Sequence, residues 1–182
     1  MSQPSALPDV VRELELHAAQ AGWDQPAQLY ALVDTAELVR REPALAEAMG
    51  VDAEVEGLTP VEQDALPPGQ ELEDVLQQIE WPAEVSGCAA VVERLVLPPE
   101  ADAEIPEGRA EAAEYAAAHP DRQEVRIVAA VLREGQGFCA LRLRSHDDDD
   151  SVLGGPDLVP QLLQLLHATL EEPQEDREEE PR

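Results

Sequence analysis

Apolar residues recur at helical spacing over residues 6–21, where Val10, Val11, Leu14, Ala18 and Ala21 line one face, with Pro8 near the start and Gly22 just past the end. This predicts an amphipathic helix. The turn-rich Gly22-Trp23-Asp24-Gln25-Pro26 follows, then Gln28-Leu29-Tyr30-Ala31-Leu32-Val33, which reads as a first strand. Residues 35–41 read as helix stopped before Pro43, and residues 44–49 as a further turn. Between Gly50 and Gly69 the chain turns acidic and Pro-rich and is expected to wrap the outside of the domain. Within it, Thr59-Pro60-Val61-Glu62 has the form of a capping box with Pro at the first helical position, predicting one short helical turn. The stripe Leu72, Val75, Leu76 and Ile79 opposite Glu71, Glu73 and Asp74 predicts a helix over 70–80, ended by Trp81-Pro82.

Residues 88–97 form a β-rich run stopped by Pro98-Pro99, and residues 108–118 an Ala/Glu-rich helix ending at His119-Pro120. Two strands, 124–133 and 138–145, are joined by Glu134-Gly135-Gln136-Gly137, a hairpin signal. Gly154-Gly155-Pro156-Asp157 opens a last helix over 158–170, where Pro160 is tolerated because first-turn N–H groups have no helical partner. Residues 171–182 carry charge without an apolar face and are expected to be disordered. No internal repeat is visible. The order of elements predicts a single α+β domain over residues 1–170, an antiparallel sheet of about four strands with helices packed on one face.

A hairpin turn centred on Gly135-Gln136 would set Arg133 opposite Phe138, Val131 opposite Ala140, Ala129 opposite Arg142 and Ile127 opposite Arg144. Side-chain parity then sorts the hairpin into a core face of Val128, Ala130, Leu132, Cys139, Leu141 and Leu143, and a second face of Ile127, Val131, Arg133, Phe138, Arg142 and Arg144. Guanidinium groups fork onto carboxylates and phosphates, so the second face could bind an anionic ligand or an acidic partner segment. The plainer reading is that these arginines pair with the chain's own carboxylates and cover the sheet with their methylene stems.

Composition sharpens that picture. The chain has 182 residues, 40 of them Asp or Glu against 12 basic residues, every one of which is Arg, for a net charge of −28. Such an imbalance argues against nucleic-acid or anionic-membrane partners, which need a cationic face. With 43% hydrophobic but only 3% aromatic residues, the core must be built from Leu, Val and Ala. The first residues, Met1-Ser2-Gln3-Pro4-Ser5, have no basic region or following apolar stretch, so no secretory signal is expected. The longest purely apolar stretch, residues 127–132, is far short of the roughly 20 residues of a membrane helix. Cys88 and Cys139 lie in apolar runs and read as buried thiols of a cytoplasmic protein.

Candidate chemistry is sparse. His146-Asp147-Asp148-Asp149-Asp150 offers hard oxygen ligands, but an EF-hand loop counted from Asp147 would need Gly where Val152 stands, so no metal is assigned. His17, His119, His146 and His167 are scattered, without His-x-x-x-His or Cys-x-x-Cys spacing, which leaves zinc without support. Ser86-Gly87-Cys88 lacks the flanks of a nucleophile elbow, and no Gly-rich phosphate loop is present, so no cofactor is expected. Trp23 and Trp81, each beside a Pro-containing turn, read as anchors that clamp loops onto the core.

Gly22-Trp23-Asp24-Gln25-Pro26 with the following Leu29-Tyr30-Ala31-Leu32-Val33-Asp34-Thr35-Ala36-Glu37-Leu38, the strand end Glu93-Arg94-Leu95-Val96-Leu97-Pro98-Pro99, and Ala140-Leu141-Arg142-Leu143-Arg144-Ser145-His146-Asp147-Asp148 together resemble a family of small acidic actinobacterial proteins of unknown function. The resemblance spans the first helix to about Leu170; it implies a source group and assigns no activity or functional residue. Two readings stand. The first is a non-enzymatic protein-interaction module, an adaptor or chaperone-like regulator docking an unknown protein partner. The alternative is a sensor or enzyme for a small anionic ligand at an Arg-lined face made of Arg133, Phe138, Arg142 and Arg144, with His146 as a titrating group.

Overall fold

Strand β4 (Gln123–Leu132) is buried without a break from Val125 to Val131, because both faces of the sheet it belongs to are covered. The computed structural model describes residues 7–50, 57–67 and 69–171, residue 102 by its backbone alone. Expectations for the first residues and for the acidic tail fall on 1–6 and 172–182, outside the described residues.

In chain order the elements are α1 (Leu7–Ala21), β1 (Gln28–Asp34), α2 (Thr35–Arg41), α3 (Pro43–Ala48), β2 (Leu58–Glu62), α4 (Leu72–Leu76), β3 (Gly87–Val96), α5 (Arg109–Ala118), β4, β5 (Gly137–Leu143), β6 (Leu153–Gly155) and α6 (Pro160–Leu170). The strands form one antiparallel sheet in the order β2-β1-β3-β4-β5-β6. Helix α1 lies across β4 and β5, burying Leu7, Val10, Val11 and Leu14 on Leu32, Val128 and Ala130. On the other face Leu162, Leu163 and Leu166 of α6 and Leu72 of α4 cover Cys88, Ala129, Val131 and Cys139. Each buried Leu or Val contributes roughly 1.5–3 kcal/mol relative to an exposed one. Small alanines on the central strands let the helices approach closely. Gly87 answers the same need within the sheet, since a Cβ there would meet the Val131 carbonyl oxygen at 2.2 Å.

The antiparallel sheet and the mixed helix and strand content are as expected, but the sheet has six strands, and helices cover both faces rather than one. The two extra strands are the edges. Thr59-Pro60-Val61-Glu62 is part of β2, not a helical turn: the Thr59 hydroxyl bonds that of Thr35, the first residue of α2, at 2.8 Å instead of capping a helix of its own. An edge strand tolerates Pro60 because it needs no N–H on its open side. Residues 153–155, expected to lead into a helix, pair with β5 as β6 before α6 begins at Pro160. Cover on both faces follows from β4 itself, whose uninterrupted apolar run has two sides to bury.

Hairpin register also differs. Gly135 N–H donates to the Leu132 carbonyl, and Leu132 N–H to Gln136, so the turn is built on residues 132–135 with Gly135 at φ +103°. This is the three-residue loop ending in a left-handed glycine. Arg126 therefore faces Arg142, Val128 faces Ala140, and Ala130 faces Phe138. Phe138 and Arg142 share the α1 face with Val128 and Ala130, while Cys139, Leu141 and Leu143 go with Ile127 and Val131 on the α6 face.

Candidate functional site: a buried arginine row under helix α1

The strand register brings Glu93, Arg126 and Arg142 into one row across β3, β4 and β5, on the face that α1 covers. Two like charges opposed on neighbouring strands repel, so each needs its own partners. Arg142, only 2% exposed, has them. Its Nε donates to Glu15 Oε1 at 2.5 Å and its Nη2 to Glu15 Oε2 at 3.0 Å, while Asp147 and Asp149 accept from Nη1 and Nη2 at 3.1 and 2.6 Å. Glu15 is equally buried, one turn of α1 beyond Val11. Hydrogen bonding to Glu15 holds the Arg142 guanidinium firmly protonated.

Asp147 links this pair to a tryptophan. Trp23 Nε1 donates to Asp147 Oδ2 at 3.0 Å, and this bond together with Arg142 lowers the Asp147 pKa below its ordinary value. The Arg126 guanidinium stacks over the Trp23 ring, 4.3 Å from its centroid, and Arg144 lies 5.6 Å from the same ring. Arg144 itself sits in a short 3₁₀ turn (Arg144–His146) after β5 and pairs with Asp24 and Glu124, each at 3.0 Å. Contacts thus run from the buried Glu15 and Arg142 through the exposed Asp147 and half-buried Trp23 to the buried Arg126.

Arg126 is the exception in this satisfied network. It is 1% exposed; its Nη2 donates to the Gly22 carbonyl, yet its Nη1, fully out of solvent, has no acceptor among the described residues. The sequence sets a carboxylate directly opposite it on β3, Glu93, but both Glu93 oxygens are occupied by the backbone N–H groups of Asp24 and Gln25, at 2.8 and 2.6 Å. Those bonds pin a loop in which Asp24 takes the left-handed φ of 65°. A cleft of about 80 Å³ opens beside Arg126, walled by the end of α1 at His17 and Ala21, by Gln25-Pro26, and by Tyr30 and Glu62. Burial first, and the Glu62 charge second, push the Tyr30 hydroxyl above its usual pKa. His17, Tyr30 and Glu62 also line a wider groove of about 500 Å³ between α1 and the β2 edge, with Glu13, Leu16 and Met49.

The residues singled out in the sequence are dispersed. Phe138 and Arg142 share the α1 face, and Arg144 stands at its rim. Arg133 belongs to the opposite end of the molecule, where its guanidinium donates to the carbonyls of Val85, Leu170, Trp81 and Pro82 and closes the C-terminus of α6. His146 is exposed and touches Ser145. Trp81 anchors its loop by donating to Thr169 at 3.0 Å. The free thiols Cys88 and Cys139 are buried beneath α6, and burial raises the Cys88 pKa to about 11. Arg126, Glu15 and Trp23 are what sequence reasoning left out of the site. A lone charge in the run Val-Arg-Ile-Val-Ala-Ala-Val, on the same parity as Val128 and Ala130, was the available signal.

The fold is thus a six-stranded antiparallel sheet with helices on both faces and the guanidinium groups of Arg126 and Arg142 buried under its first helix. The chain belongs to the PPA1309-like protein family, whose model matches residues 7–171. Searches of curated proteins and of solved structures found no match to it. Among the described residues no helix is long and apolar enough to cross a membrane.

Proposed function

We propose that this is a single-domain, cytoplasmic actinobacterial protein that works by binding a small ligand through a carboxylate or another oxyanion group, acting as a sensor rather than a catalyst. The observation that carries this reading is the Arg126 Nη1, buried and without an acceptor in a residue that lines a cleft. An unmet buried donor costs about 1–3 kcal/mol, and more when it is charged. A ligand oxygen at Nη1 recovers that cost on binding, and stacking on Trp23 keeps the guanidinium in place beforehand. Arg142 and Arg144 support the site without contacting the ligand, since the carboxylates of Glu15, Asp24, Glu124, Asp147 and Asp149 already engage them. The test is a thermal-shift series at low ionic strength with acetate, other small carboxylates and phosphate. Saturable stabilisation in the wild type, lost in Arg126→Met and retained in part in Arg126→Lys, is the expected result. Equal shifts in wild type and Arg126→Met contradict it.

A second reading, an adaptor for a protein partner, draws on the β3–β4 ribbon. Pairing of β3 with β1 ends at Val91, so the strand continues past it to Val96, with Leu95 and Val96 exposed on an edge that pairs with no further strand among the described residues. Such an overhang suits strand addition by a partner segment. Native mass spectrometry of gently purified protein tests it: a stoichiometric partner lost on Leu95→Lys with Val96→Lys fits this reading, and a partner unaffected by that change removes the ribbon from consideration.

A further inference from the structure

Resting on the proposal that Arg126 receives an oxyanion, we infer that the ligand is a small amino carboxylate, a zwitterion whose carboxylate meets Arg126 and whose ammonium group lies in the acidic groove between α1 and β2. Three observations lead there.

First, the cleft at Arg126 is small. It measures about 80 Å³ against about 500 Å³ for the groove beside it, so it suits one end of a ligand rather than the whole. The rest of any ligand must continue outward.

Second, the way outward is defined. The cleft and the 500 Å³ groove share His17, Tyr30 and Glu62, so the groove is the natural continuation of the cleft. Leu16, Met49 and Pro60 give it an apolar lining for a short aliphatic spacer, while Glu13 and Glu62 place carboxylates along it. Among the described residues neither Glu13 nor Glu62 forms a salt bridge, and Arg126 is the one arginine in the walls of cleft and groove, which also hold His17. At the inner end Arg126 stands beside Glu93, whose oxygens the Asp24 and Gln25 N–H groups already occupy, while toward the groove Glu62 and Glu13 are carboxylates without an ion pair among the described residues.

Third, the whole molecule repels anions. With a net charge of −28, a simple carboxylate or phosphate approaches against the field of the protein, whereas a zwitterion carries no net charge to be repelled. An ammonium group beside Glu62 turns the two local carboxylates from an obstacle into partners.

Calorimetric titration of the full chain with γ-aminobutyrate and 5-aminovalerate, against valerate and n-butylamine, tests the inference. The ω-amino acids are expected to bind at least tenfold more tightly than either singly charged analogue. Arg126→Met abolishes binding, and Glu62→Gln, at an exposed position that leaves the fold undisturbed, erases the preference for the zwitterion over valerate. Valerate binding as well as 5-aminovalerate, with Arg126 still required, overturns the ligand class and leaves the oxyanion site standing. Absence of binding by any of the four, or binding unaltered in Arg126→Met, overturns both. Should Arg126→Met fail to fold, Arg126→Lys and Glu62→Gln decide the matter, because the inference requires each to lower the affinity for the zwitterion.

Discussion

Glu15 of α1 grips Arg142 of β5 in a bidentate pair, Oε1 to Nε at 2.5 Å and Oε2 to Nη2 at 3.0 Å, with both side chains withdrawn from solvent. The bond fixes how the first helix sits on the sheet, and with it the wall of the Arg126 cleft that His17 and Ala21 provide. Removing one partner of a buried pair leaves the other charge uncompensated, at a cost of about 3–5 kcal/mol. Asp147 and Asp149 still reach Arg142, so Glu15→Ala is expected near the lower end, about 3 kcal/mol in urea denaturation. Glu15→Leu combined with Arg142→Met should recover most of that loss. A double variant as unstable as the single one would show that the charges themselves hold the helix in place.

The Trp23 indole holds Asp147 ionised. Its folded-state pKa lies below the unfolded value, so its contribution to stability is complete above the ordinary Asp pKa of about 3.9 and is lost as pH falls through the folded value. Trp23→Phe removes the indole N–H and should move the Asp147 titration upward toward that ordinary value, as followed by carboxyl carbon NMR. An unmoved midpoint would mean that Arg142 alone sets it.

Both thiols should be silent in the native protein. Cys88 is enclosed between β3 and α6, with its sulfur 3.7 Å from the Leu166 carbonyl, and its pKa of about 11 leaves almost no thiolate at pH 8. Labelling with a disulfide reagent at pH 8 is expected to proceed only at the rate of global opening and to speed up through the urea transition. Rapid labelling of Cys88 in buffer would contradict its burial. Because the Cys88 thiol titrates higher in the fold than in the unfolded chain, the unfolded chain releases its proton first, and the fold loses stability as pH rises from about 9 toward 11.

Salt should stabilise the chain. Repulsion within a net charge of −28 is screened once the Debye length shrinks to about 10 Å at 0.1 M. The buried Glu15–Arg142 pair is little affected by salt, and the exposed pairs of Arg144 are worth little to begin with. The melting temperature is therefore expected to rise between low and moderate NaCl; a fall would show that surface ion pairs outweigh the net field.

Periodicity made the long elements legible: α1, β1, α2, β3, α5 and the β4–β5 pair lie where their patterns place them, within a residue or two at the ends. What escaped were elements whose local signals point elsewhere. Thr59-Pro60-Val61-Glu62 carries a helix-start signature, but its threonine is held by Thr35, 24 positions away in sequence, a contact no local pattern reveals. Gly154-Gly155 marks a turn in any sequence reading, and its pairing with β5 depends on where β5 runs. A turn centred on Gly135-Gln136 and the observed turn on residues 132–135 give opposite parity between the two strands, so arginines expected on one face are separated. Arg126 stayed hidden within an apolar strand, and Glu15 within the apolar stripe of α1, because a charge at a core position becomes meaningful only once its partner is known.

Arg126 Nη1 is the donor proposed to meet the ligand, and arginine side-chain NMR observes that group directly. In ¹⁵N–¹H spectra of the guanidinium groups, with Arg126 assigned through Arg126→Lys, titration with 5-aminovalerate should shift the Arg126 signals saturably while those of Arg142, fully paired with Glu15, Asp147 and Asp149, stay in place. Arg126 signals that do not move at saturating ligand, or shifts confined to exposed arginines such as Arg40 and Arg41, would contradict it.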